Sequence, residues 1–115
     1  MADNLTGSVG EGDRLPSLIV EFRYRDAGLV LSDDVPVGSP ATFTMRPVSS
    51  IYPTVDAEAA VVVSSVDGVL VLRYDWQAGD TDMGGQYLGW FTLDVGGLTL
   101  TAPTRGAIKI EVTVK

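Results

Sequence analysis

The stretch Tyr74-Asp-Trp-Gln-Ala-Gly-Asp-Thr-Asp-Met-Gly-Gly-Gln-Tyr-Leu-Gly-Trp-Phe-Thr-Leu93 sets two apolar runs on either side of a polar, glycine-rich connection. Both tryptophans, Trp76 and Trp90, lie in it, with two of the four tyrosines. Short aromatic-rich runs parted by Asp and Gly read as a strand, a tight acidic turn and a second strand. On the second run, Tyr87, Gly89, Phe91 and Leu93 recur every second residue and share a face, while Leu88, Trp90 and Thr92 share the other. One face is expected to build a core. The other is expected to meet the N-terminal arm or a partner subunit, which makes Trp90 an interface candidate.

Working outward, the same signals repeat. Downstream, Asp94-Val-Gly-Gly is a turn, residues 98–102 form a short strand, and Pro103-Thr-Arg-Gly106 turns the chain. Ile108, Ile110, Val112 and Val114 then alternate with Lys109, Glu111, Thr113 and Lys115 in a closing strand. Upstream, residues 69–74 pair with a strand at residues 59–64 through Asp67-Gly68, a positive-φ dipeptide suited to a tight hairpin. Asp56-Ala57-Glu58-Ala59-Ala60 also admits a helical turn, but the β-branched run Val61, Val62, Val63 favours a strand. Leu18, Val20, Phe22 and Tyr24 alternate with charged residues, and Ala41, Phe43 and Met45 alternate with Thr42, Thr44 and Arg46. Residues 29–31 form a short apolar segment, and 35–40 a proline-rich loop. Residues 49–54 form another loop, with Tyr52 beside Pro53 as an aromatic handle for an interface or for the domain itself.

About seven short strands with turns every ~8–12 residues imply an all-β sandwich. The domain is expected over residues 15–115, preceded by a flexible, glycine-containing N-terminal arm, residues 1–14. Leu5 and Val9 would be the apolar contacts of that arm on a neighbouring subunit. Trp76 is a further interface candidate. The expected core comprises Leu18, Val20, Phe22, Phe43, Val61, Val63, Leu72, Tyr87, Phe91, Ile108, Ile110 and Val112.

Composition narrows function by exclusion. The 115-residue chain suits one domain with a core. Its net charge of -7 disfavours direct contact with nucleic-acid phosphates or anionic membranes. It has neither cysteine nor histidine, so disulfides, thiolate metal sites and a Ser-His-Asp relay are impossible. Asp75, Asp80 and Asp82 lie near turn glycines, but their spacing does not match an EF-hand loop. Asp80 and Asp82 are expected to accept backbone N–H groups in the turn. No metal, cofactor or catalytic residue is expected, and the chain is not expected to be an enzyme. Stacking of a surface glycan on Trp76 or Trp90 is the alternative use of the aromatics, as in a carbohydrate-binding sandwich.

Gly79-Asp80-Thr81-Asp82, then Gly85-x-Tyr87-x-Gly89-x-Phe91-x-Leu93, then Gly96-Gly97 and Pro103-x-x-Gly106-x-Ile108-x-Ile110-x-Val112, resemble the C-terminal half of small immunoglobulin-like domains of tailed bacteriophages. The pattern is similar in particular to the N-terminal domain of the upper baseplate protein family. Residues 18–24, 29–35 and 41–46 resemble that domain's first strands. The resemblance spans roughly residues 16–114 and consists of turns and alternation. It implies an immunoglobulin-like β-sandwich made in the bacterial host cytoplasm and built into the virion. There it would touch other virion proteins and copies of itself in tail, baseplate, neck or capsid. The chain ends just after the last strand, without the distal receptor-contacting domain of the baseplate members, so an accessory subunit is expected rather than a receptor-binding protein.

Overall fold

One strand, β4 (Val55–Val66), belongs to both layers of the protein and explains how they join. The computed structural model describes residues 6–14, 17–23, 39–66, 69–95, 98–103 and 107–114. Among these there is no helix, and the other strands are β1 (Thr6–Gly10), β2 (Leu18–Arg23), β3 (Ala41–Pro47), β5 (Val69–Tyr74), β6 (Gly85–Val95), β7 (Leu98–Ala102) and β8 (Ile108–Thr113). Their order is β1-β8-β6-β3-β4-β5-β2, with β7 also on β6. The first half of β4 pairs with β3 and the second half with β5. The sheet thus folds over itself at β4 into a sandwich. Eight described strands stand where the sequence suggested about seven, and all pair antiparallel except β1 with β8.

Two β-bulges let β4 turn the corner, since an extra residue bends a strand and raises its twist. The first sets Asp56 and Ala57 opposite Thr44 alone, between the pairs Phe43↔Glu58 and Met45↔Val55. Ala57 takes a positive φ of 52° there, and its N–H donates to Thr44 Oγ1 at 3.2 Å. The second inserts Val63 between the pairs Val62↔Leu72 and Ser64↔Val71. The helical turn admitted at residues 56–60 does not form.

The second bulge corrects part of the expected core. A regular hairpin with Val66 opposite Val69 puts Val63 opposite Leu72 and turns Val61 and Val63 inward. With one residue inserted, Val62 faces Leu72 and is fully buried. Val61 and Val63 are 40% and 41% exposed instead. A one-residue slip flips every side chain to the other face.

The rest of the expected core is buried: Leu18, Val20, Phe22, Phe43, Leu72, Tyr87, Phe91, Ile108, Ile110 and Val112. Phe43 sits at its centre. Its ring lies 4.8 Å from Tyr74, 4.9 Å from Phe91 and 6.2 Å from Trp76, centroid to centroid. The two runs of the Tyr74–Leu93 stretch therefore meet across the sandwich and not as a hairpin, because β5 and β6 lie in different layers. Each such side chain contributes roughly 1.5–3 kcal/mol by burial. Gly89 allows this approach, since a Cβ there would come within 2.8 Å of both Phe43 and Ile110.

Two further expectations change. Residues 6–14 are not a free arm, because β1 extends the sheet in parallel register with β8 and Val9 is only 4% exposed. The chain also does not reverse at Pro103. Both β7 and β8 run antiparallel to β6 along the edge opposite β3, with Phe91↔Ala102 followed by Gly89↔Ile108. The turn expected at Pro103-Thr-Arg-Gly106 lies largely outside the described residues. The segments expected at residues 29–31 and 35–38, with Leu5 and Tyr24, lie outside the described residues.

Candidate contact surface

Two loops meet at one end of the sandwich, and each is fixed by its own polar side chain. The first, residues 48–54, joins β3 to β4. Arg46, half-buried at the end of β3, donates from Nη1 to the carbonyls of Ser50 at 2.9 Å and Pro47 at 3.3 Å. Ser50 N–H closes a turn on the Pro47 carbonyl at 3.1 Å, and Tyr52 N–H donates to Ser50 Oγ at 3.0 Å. Thr54 N–H returns to the Met45 carbonyl at 2.8 Å, and Val48 N–H reaches Gln86 of β6 at 3.0 Å. Pro53 further disfavours helical backbone at Tyr52.

The second loop, residues 75–84, joins β5 to β6 and is built around Asp80. This carboxylate is only 8% exposed. It accepts the Tyr74 hydroxyl at 2.5 Å and the Gln77 N–H at 2.8 Å on the same oxygen. The turn chemistry expected of Asp80 is what it performs. Burial, then the Asp80 bond, push the Tyr74 phenol well above its ordinary range. Residues 11–13 clamp the same loop from the N-terminal side. Gly12 N–H donates to the Thr81 carbonyl at 2.8 Å, Thr81 Oγ1 to the Asp13 carbonyl at 2.7 Å, and Gly84 N–H to Glu11 Oε2 at 2.9 Å. Tyr87 donates its hydroxyl to the Met83 carbonyl at 2.7 Å, and burial with the Glu11 charge raises its phenol too.

These two fixed loops present apolar side chains to solvent. Ile51 is 80% exposed, Tyr52 76%, Met83 74% and Val48 54%. A groove of about 440 Å³ runs between them, lined on one side by Ser49, Ser50 and Thr54 and on the other by Asp82, Met83 and Gly85. Isolated exposed apolar residues are ordinary, but four on two adjoining loops make this end of the domain a candidate contact site.

The other site candidates fall elsewhere. Trp76 is 3% exposed, with its ring edge-on to Phe43 and Tyr74, so it belongs to the core and cannot anchor a partner or stack a sugar. Val9 is likewise internal. Trp90 is half-buried on the outer face of β6, opposite Thr44. The N-terminal strand does not lie over it, because β1 joins the sheet edge beyond β8. Leu5 is outside the described residues. Only Tyr52 stands at the tip. Its companions Val48, Ile51 and Met83 were not singled out by sequence reading, although apolar residues inside a Ser- and Pro-bounded loop are a signal that could have found Val48 and Ile51.

The acids do not converge. Asp75 accepts from Ser17 Oγ at 2.7 Å and pairs with Arg73 Nε at 3.2 Å, on the flank of the second loop. Asp80 is turned inward and Asp82 outward. Among the described residues, no group of three or more acids is arranged to hold a metal ion. No protein-family model, curated protein or solved structure matches the chain.

Proposed function

We propose that the protein is a non-enzymatic structural subunit that works through protein–protein contacts, as a component of a tailed-bacteriophage virion. The observation that carries the contact role is the pairing of high exposure with a fixed backbone at Ile51 and Tyr52. A loop backbone already held in its presenting conformation loses little freedom on binding, so the apolar area it carries adds efficiently to affinity. Tyrosine is also a favoured anchor at interfaces. The virion assignment rests on the resemblance of the turns from Gly79 to Val112 to phage immunoglobulin-like domains. The sandwich presents loops at its ends and sheet faces at its sides, and repeated copies could tile a symmetric shell or tube. The glycan-binding alternative has less support, since Trp76 is internal and Trp90 lies half-buried on a sheet face.

The test is localisation. Mass spectrometry and cryo-electron microscopy of purified particles from the phage that encodes the chain are expected to find it at symmetry-related positions, with the 48–54 loop at a subunit contact. Absence from particles sinks the virion assignment.

A further inference from the structure

The apolar tip rests on the protein-contact reading above, and its electrostatic setting narrows the partner. The two loops carry or adjoin the carboxylates of Asp82 in the groove, Asp56 at the start of β4 and Glu11 on the Gly84 N–H. Arg73 is paired with Asp75. Arg46 is half-buried at the end of β3 and engaged by the carbonyls of Pro47 and Ser50. Asp82 is exposed and lines the groove beside Met83, and Asp56 is exposed one residue into β4. The tip therefore offers apolar surface beside the exposed carboxylates of Asp82 and Asp56, on a chain of net charge -7.

We propose that Val48, Ile51, Tyr52 and Met83 dock a protein segment bearing lysine or arginine beside apolar side chains, and not the same tip of a second copy. Two such tips face to face would bring like charges together, which raises the energy of encounter and of the complex. Anionic lipid and nucleic acid meet the same repulsion. A cationic segment can set its apolar residues on Ile51 and Tyr52 and align a charged head with Asp82, inside the range where salt screening is weak.

The probe is a library of short random displayed peptides selected on the full chain at low salt. The expected winners combine Lys or Arg with Leu, Ile, Phe or Tyr, and bind roughly tenfold more weakly at high salt. Binding is lost in an Ile51→Ser/Tyr52→Ser double variant and weakened in Asp82→Asn. These positions are exposed, and an unchanged melting temperature confirms that each variant is folded. The inference is overturned if no family of peptides emerges, if acidic or uncharged peptides win, if the double variant binds as well, or if the tip binds phosphatidylserine vesicles. Dimerisation of the chain abolished by Tyr52→Ser would also overturn it, yet would leave the protein-contact reading standing. Absence from particles, by contrast, would remove the virion assignment and leave the peptide result intact.

Discussion

Tyr74 and Asp80 are joined by a 2.5 Å hydrogen bond that ties the last residue of β5 to the middle of the loop that follows it. The same carboxylate oxygen holds the Gln77 N–H. A single buried acid thereby links the aromatic core around Phe43 to the loop that carries Met83. Tyr74 is fully buried, so its hydroxyl has no access to water as a substitute partner.

Tyr74→Phe is expected to cost about 1.5–3 kcal/mol at neutral pH, the range for a hydrogen bond to a charged group. Asp80→Ala is expected to cost more, since it frees the Gln77 N–H as well. The pH dependence has a definite sign. The folded phenol of Tyr74 is raised above the ordinary tyrosine value of about 10, so above that pH the folded state holds a proton that the unfolded chain has lost. Stability from this group is complete below about pH 10 and declines as pH rises beyond it. Tyr87 acts in the same direction. Urea unfolding at a series of alkaline pH values should show a falling midpoint in the wild type and a shallower fall in Tyr74→Phe.

At the first bulge of β4, Ala57 holds a φ of 52°, where a side chain is strained and glycine is not. Ala57→Gly is expected to stabilise the protein by up to ~1 kcal/mol. Thr44→Val removes the hydroxyl that accepts the Ala57 N–H, and is expected to cost about 1 kcal/mol. Thermal melts of the two variants should shift in opposite directions. A destabilised Ala57→Gly would mean that the bulge is not strained.

The layered architecture was legible because strand alternation and turn chemistry are local. Leu18, Val20 and Phe22, or Ile108, Ile110 and Val112, announce their buried face by polar neighbours, and Val66 stands opposite Val69 as the expected hairpin requires. Where local information is degenerate, reading failed. Three successive valines carry no phase, so the face of β4 depended on one inserted residue that only the register with Leu72 reveals. Trp76 looked like a surface aromatic because it follows the strand in an acidic, glycine-rich segment. Its burial comes from Phe43, distant in sequence. The order of residues 6–14 arises from partners at Thr81, Gly84 and Thr113, which composition does not record. The tip was half legible: Tyr52 stood out, but Met83 joins it only through the meeting of two loops.

Residues 11–13 therefore behave as part of the fold. Glu11 N–H is bonded to the Thr113 carbonyl and Gly12 N–H to the Thr81 carbonyl, each at 2.8 Å. Native-state hydrogen exchange should find both amides protected by roughly tenfold or more over a random chain, as expected for bonded edges that open locally. Removing residues 1–13 should lower the melting temperature and loosen the 75–84 loop. Free exchange at Glu11 and Gly12 would restore the picture of a flexible arm.

Tyr52 and Trp76 offer the sharpest separation of stability from contact. Both are aromatic residues in polar, Gly- or Pro-containing segments, and sequence reading treated them alike. Trp76 is 3% exposed and touches Phe43 and Tyr74, so Trp76→Ala opens a cavity in the aromatic centre and is expected to cost about 3–5 kcal/mol. Such a loss is a large part of the stability of a small domain. Tyr52 is 76% exposed, and Tyr52→Ala is expected to change stability by no more than ~0.5 kcal/mol. The backbone bond of Tyr52 to Ser50 Oγ survives that substitution, so the loop keeps its shape. Chemical denaturation of the isolated chain measures the first effect. On the proposed virion role, incorporation of each variant into particles measures the second. Tyr52→Ala should leave the melt unchanged and reduce incorporation, because the side chain removed has no partner role inside the fold. A Tyr52→Ala chain that incorporates normally would show that the exposed ring contributes nothing to assembly.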